Sequence, residues 1–372
     1  MKEIVEIIRA YHVAKASGMQ CVLATVVHVD GSSYRRPGAR MLVLENGLMI
    51  GAISGGCLEG DALKKALLTF TDKLTRLVTY DTSNEEDATV GIQLGCEGII
   101  QILFESIDYT NPKNPIELLK IVTSKRQKAI IVTLFDLQNK KNSQMGTSFV
   151  LEENDNVITT LDAPLITAIK ADASFALNAA TSKFVHYKSE QLELDAFVEF
   201  IQPAIAIVIV GAGNDAVPLS QMADIIGWEV KVVDGRNTHA KQDRFISACQ
   251  VLVSKPEKVL EQIIIDERTC FVLMTHNYQY DLQMLKALVP LNIPYIGLLG
   301  PKKKLDKILV DLEAIGIVPT KEQLAKIYGP TGLDIGAETS EEIAVSIIAE
   351  IQAVFNHKDG NKLKNKQTQI HQ

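Results

Sequence analysis

The sequence contains no run of eighteen apolar residues, so it lacks the length of hydrocarbon that a membrane-spanning helix needs. It has no extended basic stretch, and its net charge is −7, from 38 lysines and arginines against 45 aspartates and glutamates. Nucleic acid is therefore not expected as a partner. The five cysteines are scattered and form no CxxC pair, which favours a cytoplasmic protein with free thiols.

The 372 residues, 47% of them apolar, are enough for two domains with packed cores. Residues 4–15 predict an amphipathic helix, not a secretory signal, because acidic residues interrupt the apolar ones. We expect an α/β chain with three parts. Residues 1–202 form a mixed α+β domain with hairpins, residues 203–356 form a Rossmann-like doubly wound parallel sheet, and residues 357–372 form a polar tail.

Residues 30–61 organise the first domain. The dipeptide Asn46-Gly47 between two apolar runs predicts a hairpin with strands at 41–44 and 48–53, followed by a helix over 62–70. A loop rich in glycine, serine and arginine precedes the hairpin, and the sequence Ser54-Gly55-Gly56-Cys57 follows it.

This pattern predicts a site for an anionic ligand. Glycines bring backbone N–H groups close to a guest, and the helix behind them offers unpaired N–H groups. Cys57 precedes that helix, where a thiol ionises more easily. Arginines supply bidentate contacts to phosphate or carboxylate. The alternative is a tight turn with a buried cysteine and surface arginines, but the combination of features favours the site.

A second cysteine, Cys96, lies between Gly95 and Gly98 ahead of a predicted strand at 99–104. Two such turns suggest a shared pocket, although two independent turns explain the spacing equally well. Residues 111–201 contain no candidate chemistry and are expected to complete the sheet of the first domain. His186 in this region is interpreted as an ordinary strand residue.

The second half begins with an apolar strand at 204–210, followed by the pattern G-x-G-x-x-A from Gly211 to Ala216. A helix and a strand ending in Asp234 come next. This order of strand, glycine loop, helix, strand and acid predicts a Rossmann domain.

Further β-α units follow, with helices predicted over 256–265, 281–288 and up to 314. His276 and Gly300 follow strands, so both are expected at the carboxyl edge of the sheet, where ligands bind. His276 is either a proton carrier or metal ligand, or the cap of the next helix. The loop 330–339 contains Asp334, and Glu342 predicts a capped helix start at Thr339 or Ser340.

Seven motifs in this order resemble the XdhC/CoxI family of xanthine dehydrogenase accessory proteins: GSSYRRPGARMLV, SGGCLEG, LGCEG, VGAGNDA, MTHNYQYD, YIGLLG and PTGLDIGAETSEEIAVSIIAEI. The resemblance covers residues 21–355. It implies a chaperone that binds the molybdopterin form of the molybdenum cofactor, protects it and assists its insertion into a molybdenum hydroxylase. It also implies a homodimer, and enzymes of cofactor biosynthesis or sulfuration as further partners.

The chemistry of molybdopterin agrees with this resemblance, because its phosphate suits arginines and amides and its metal suits a thiolate. The Rossmann half is expected to hold the pterin, or a nucleotide such as NAD(P). Cys57 is the predicted metal ligand. The predicted ligand-binding residues are Ser32, Ser33, Arg35, Arg36, Arg40, Ser54, Gly55, Gly56, Cys57, Glu59 and Cys96 in the first half, and Gly211, Gly213, Asn214, Asp234, His276, Gly300 and Asp334 in the second.

Two other hypotheses remain open at this stage. The glycine pattern with Asp234 fits an NAD(P)-dependent oxidoreductase in which His276 is the acid or base. A docking scaffold without a bound cofactor is the third possibility.

Overall fold

The computed structural model describes residues 1–81, 98–188 and 193–367. Its contacts divide the chain into two compact units, Met1–Pro203 and Ala204–Gln372, which we call the N-terminal and C-terminal units. The predicted class is confirmed, since antiparallel sheets form the first unit and a parallel sheet with helices forms the second. No helix in the described ranges is long and apolar enough to cross a membrane.

The first sheet of the N-terminal unit is antiparallel, in the order β3-β2-β1-β5-β4. The predicted hairpin is present, but its second strand is shorter than expected, and the helix after it begins three residues early, at Glu59. The elements are α1 (Lys2–Ala16), β1 (Cys21–Gly31), β2 (Arg40–Leu44), β3 (Met49–Gly51), α2 (Glu59–Asp72), β4 (Arg76–Asp81) and β5 (Gly98–Ser106).

The rest of this unit was predicted to complete the first sheet, and this prediction is wrong. It forms a second sheet in the order β8-β7-β6-β10-β9. Apolar side chains from both sheets share one cluster with α1 and α3 and a second, smaller cluster without these helices. The elements are α3 (Pro115–Ser124), β6 (Ala129–Phe135), β7 (Gly146–Glu152), β8 (Val157–Thr159), α4 (Ala163–Ala179), β9 (Lys183–Lys188) and β10 (Glu193–Ile201).

The C-terminal unit is a parallel sheet in the order β13-β12-β11-β14-β15-β16. Its central strand β11 is fully buried, and apolar clusters cover both faces. The elements are β11 (Ala206–Val210), α5 (Ala216–Ile225), β12 (Glu229–Asp234), β13 (Gln250–Val253), β14 (Thr269–Leu273), α6 (Tyr278–Leu288), β15 (Ile296–Leu298), α7 (Lys302–Ala314), α8 (Lys321–Leu324), β16 (Ile327–Tyr328) and α9 (Ser340–Phe355).

One detail of the C-terminal unit differs from the prediction, and another confirms it. The helix expected over 256–265 is only a 3-10 turn, Pro256–Lys258, because the backbone N–H groups of Lys258 and Gln262 bond three residues back, to Lys255 and Val259. The capped start of α9 is confirmed: Thr339 and Glu342 form a capping box.

Candidate functional site

The segment between β3 and α2, residues 53–58, is called the cysteine loop here. Ser54 is buried in it, and its Oγ accepts hydrogen bonds from the N–H groups of Gly56, Cys57 and Leu58, each at 3.1 Å. The Ser54 hydroxyl in turn donates to Glu59 Oε2 at 2.5 Å. Gly56 has a φ of +112°, a value that glycine adopts without strain.

Glu59 completes this network from the first turn of α2. Its carboxylate accepts the N–H groups of Ser54 at 3.0 Å and Leu58 at 3.1 Å. Four N–H groups of this turn, those of Ser54, Gly56, Cys57 and Leu58, are therefore used by the chain itself and not by a guest anion. A carboxylate already lies at the positive end of the helix, which is a favourable place for it. Ser54 and Glu59 hold the loop in shape in this structure.

The loop presents the thiol of Cys57. The residue is half-buried against an apolar cluster, and its Sγ lies 3.4 Å from Ser54 Oγ. Cys21 and Cys270 are buried, and burial raises the pKa of both thiols, to about 11 for Cys21. Among the cysteines of the described ranges, only Cys57 and the exposed Cys249 reach the surface. Cys96 lies outside those ranges.

Residues 31–40 are called the arginine loop here. The arginines of this loop differ in their surroundings. Arg36 is exposed, and Arg35 is half-buried with Nη2 2.6 Å from Glu3 Oε2. Arg40 was expected to meet a ligand, but it is 1% exposed and forms an ion pair with Glu199 of β10. Its Nη1 donates to Glu199 Oε1 at 3.1 Å. Arg40 therefore joins the two sheets and is not counted among the residues of the candidate site.

One contact brings the arginine loop and the cysteine loop together. The ring of Tyr34, which is 72% exposed, lies over Gly55, where an added Cβ would be 3.4 Å from the ring carbons. The arginine loop also contacts β5, where Gly98 packs on the backbone of Ser32 and leaves no room for a Cβ. Tyr34 was not among the predicted residues. Its position between the predicted residues Ser33 and Arg35 was the available signal, and Ser33 Oγ bonds to Arg35 O at 2.7 Å.

The glycine loop of the C-terminal unit, residues 211–215, follows β11 as predicted. A Cβ on Gly211 would lie 2.6 Å from Met274 C, so only glycine fits at this close approach. Asp234 is buried, and its Oδ2 accepts the Ala212 N–H at 2.7 Å and Arg236 Nη2 at 2.7 Å. Burial alone would raise the pKa of Asp234, but hydrogen bonds from Arg236 and Ala212 outweigh it and lower that pKa.

The capping role considered for His276 is wrong. Asn277 caps α6 by accepting the N–H groups of Gln279 and Tyr280. The His276 side chain instead turns to the glycine loop, with Nε2 2.9 Å from Asp215 Oδ2. Asn214 Oδ1 accepts from Arg244 Nη2 at 3.0 Å.

The remaining predicted residues lie further along the carboxyl edge of the sheet or beyond it. Gly300 has a φ of +127° and lies against Lys304, whose ammonium bonds to buried Asp281 at 2.6 Å. Asp334 is exposed on its loop. In the ranges that the structure describes, no group of three or more histidines, cysteines or acids is placed to hold a metal ion.

Comparisons with known proteins agree with the fold of the chain. Residues 14–81 match the model of the XdhC and CoxI family, and residues 207–351 match that of the XdhC Rossmann domain. The chain is 31% identical over 333 residues to a probable xanthine dehydrogenase subunit of Bacillus subtilis, covering 89% of this chain and 92% of that one. The chain belongs to the XdhC and CoxI family.

Two further relatives of this XdhC-type chain are informative. The molybdenum cofactor insertion chaperone PaoD of Escherichia coli is 22% identical over 346 residues, which are 93% of this chain and 87% of PaoD. The crystal structure of a xanthine dehydrogenase from Bacillus halodurans is 28% identical with a TM-score of 0.74, covering 97% of this chain and 98% of that one. The region matched by the XdhC and CoxI model contains both the arginine loop and the cysteine loop.

Proposed function

We propose that this protein binds a molybdopterin-type molybdenum cofactor, protects it, and assists its insertion into a molybdenum hydroxylase similar to xanthine dehydrogenase. The support from comparison is that one relative is named a cofactor insertion chaperone and another is named as part of a xanthine dehydrogenase. The apo form of the hydroxylase and the enzymes that build or sulfurate the cofactor are the partners in this proposal, and the working form is a homodimer.

The observation that carries the proposal is the half-buried Cys57, which reaches the surface on a loop held by its own hydrogen bonds. Ser54 Oγ gathers three backbone N–H groups, and Glu59 holds Ser54. A rigid loop can present a thiolate at a constant position, and a thiolate suits a soft metal centre. Cys57 is therefore the proposed ligand of the cargo's molybdenum.

The neighbouring arginine loop supplies the other contacts that such a cargo needs. The exposed ring of Tyr34 lies on Gly55, two residues from Cys57, and offers an aromatic face to a flat pterin. Arg36 is exposed on the same loop, and Arg35 is half-buried beside Glu3. Guanidinium groups bind phosphate through paired hydrogen bonds, so these two arginines are the proposed partners of the cofactor's phosphate.

The oxidoreductase alternative has less support. Its acid, Asp234, is buried and already bonded to Ala212 and Arg236, so its carboxylate is not available to a ribose hydroxyl in this structure. A nucleotide in the C-terminal unit is not part of our proposal.

The test is retention of cofactor by a thiol variant. We expect the wild-type chain, purified from cells with intact cofactor biosynthesis, to carry molybdenum and pterin, measured by elemental mass spectrometry and by fluorescence after oxidation. Cys57→Ala should retain less than about one-tenth of both, because the metal loses its thiolate. The matched control is Cys249→Ala, which removes the other surface thiol and should retain wild-type amounts.

Equal retention by Cys57→Ala and the wild type would show that this thiol does not hold the cargo. Loss in Cys249→Ala of the same size would also contradict the proposal. Circular dichroism of each variant establishes that the fold is intact before the comparison is made.

A further inference from the structure

In the glycine loop of the C-terminal unit, the side chains of Asp215 and His276 lie where a dinucleotide-binding loop of this sequence pattern would receive a phosphate. In that pattern the second glycine lets the backbone approach a pyrophosphate at the start of the helix. Here the second glycine is Gly213. A Cβ on it would collide with Asp215 Oδ1 and would lie 3.8 Å from His276 Cδ2. A carboxylate and an imidazole therefore already cover this glycine.

The position of the Asp215 carboxylate is fixed by His276. Nε2 of the imidazole lies 2.9 Å from Asp215 Oδ2. Oδ1 is buried and has no hydrogen-bond partner in the part of the chain that the structure describes. His276 has a φ of +55°, in the left-handed region that only a few per cent of residues other than glycine adopt. Such conformations concentrate at functional positions, and this one lays the ring against the glycine loop.

Other contacts prevent the loop from moving aside. The Ala212 N–H is bonded to Asp234 at 2.7 Å, and Arg244 donates to Ala212 O at 2.9 Å and to Asn214 Oδ1 at 3.0 Å. A pyrophosphate entering this loop would meet a fixed carboxylate of the same charge sign, at short range and partly shielded from water. Like charges repel most strongly under these conditions.

We propose that Asp215 is a specificity-determining residue that excludes the pyrophosphate of dinucleotides from the glycine loop. It occupies the phosphate position with a negative group of the chain itself, and His276 keeps it there. This inference concerns the C-terminal unit alone and is independent of the role proposed for Cys57.

The test is calorimetric titration of the full chain with NAD and with ADP-ribose near neutral pH. The wild type should bind both with a Kd in the millimolar range or weaker. Asp215→Ala removes the charge and opens the space over Gly213, so its affinity should rise by at least about tenfold. Asp215→Asn keeps the shape but removes the charge, and a smaller, severalfold rise is expected. Asp224→Ala, in the last turn of the same helix, changes the net charge equally and should match the wild type.

Asp215→Asn also serves if Asp215→Ala fails to fold, which a thermal melt reveals. The proposal is overturned if the wild type binds NAD in the micromolar range. It is also overturned if neither Asp215 variant binds more tightly than the wild type, or if Asp224→Ala gains as much affinity as they do.

Discussion

The two units of the chain bury their charged groups in different places. In the N-terminal unit, buried Arg40 and Glu105 bond across the gap between the two sheets, to Glu199 and Thr147. In the C-terminal unit, buried Asp234 and Asp281 lie at or after the carboxyl ends of strands, paired with Arg236 and Lys304. These particular buried charges therefore join the two sheets in one unit and lie at the carboxyl edge of the sheet in the other.

The two loops that precede helices also differ in what occupies them. In the cysteine loop, Ser54 Oγ accepts three N–H groups, and the Glu59 carboxylate accepts the N–H groups of Ser54 and Leu58 and the serine hydroxyl, so the chain itself uses both groups. The glycine loop holds a carboxylate, Asp215, whose Oδ1 bonds to nothing within the described ranges. A glycine-rich turn before a helix thus does not by itself show that its amides are open to a ligand.

The largest expected effect tests the charge between the sheets. Arg40→Ala should lower the free energy of unfolding by about 3–5 kcal/mol, because Glu199 and Glu105 lose the cation that compensates them. Arg236→Ala should cost only about 1–2 kcal/mol, since that arginine is 48% exposed and Asp234 keeps its bond from Ala212. Urea unfolding followed by circular dichroism measures both.

A double variant is the control for this comparison. Replacing the pair by Arg40→Met and Glu199→Leu together should recover part of the lost stability, since Glu199 is then no longer left as a carboxylate without its cation, although Glu105 still lacks the charge of Arg40. Equal losses of unfolding free energy in Arg40→Ala and Arg236→Ala would contradict the larger role that we assign to the buried charge between the two sheets.

The next effect concerns the pH dependence of the two buried carboxylates. Burial raises the pKa of Glu105 to about 7, although bonds from Thr147 and the charge of Arg40 oppose the shift. Between pH 4.5, its ordinary value, and pH 7, the folded chain keeps a proton that the unfolded chain has released. Stability therefore falls as pH rises through this range, by about 3 kcal/mol at most. The pKa of Asp234 is lowered, so its contribution is lost only as pH falls below about 3.8.

Glu105→Gln should remove the Glu105 part of this slope. The free energy of urea unfolding at about pH 5 and about pH 7.5 should differ less in this variant than in the wild type. The exposed Glu153→Gln carries the same loss of charge and should leave the slope unchanged. A Glu105→Gln slope equal to that of the wild type would place the titrating group elsewhere.

Local patterns predicted much of the fold. The hairpin at Asn46-Gly47 and the alternation of strands and helices in the C-terminal unit depend on residues close in sequence. The burial of Arg40 could not be predicted, because its partner Glu199 lies 159 residues away. The second sheet was missed for a related reason: strand patterns do not say which strands pair.

The sequence located the two loops along the chain but not the contacts within them. The sequence identified the Cys57 loop and the glycine loop, yet assigned their amides to a guest. A serine shortly before a helix, with a glutamate in the first turn, is the signal of side chains bonding to backbone N–H groups, and it was present as Ser54 and Glu59. No comparable signal marked Asp215, because its contact depends on the left-handed backbone of His276.

The smallest effect compares the two loops directly. Ser54→Ala removes the acceptor of three N–H groups, and water can replace it only in part because Ser54 is buried, so the free energy of unfolding should fall by about 2 kcal/mol. Hydrogen exchange of amides 56–58, read by mass spectrometry, should quicken at least about tenfold.

Asp215→Ala should change the free energy of unfolding by less than about 0.5 kcal/mol, because Oδ1 has no partner in the described structure and the exposed His276 can bond to water. Ser32→Ala, in the exposed part of the arginine loop, is the matched control and should be neutral. If Asp215→Ala lowered the free energy of unfolding as much as Ser54→Ala does, the Asp215 carboxylate would stabilise the glycine loop. The proposed difference, that Ser54 stabilises its loop and Asp215 does not, would then be wrong.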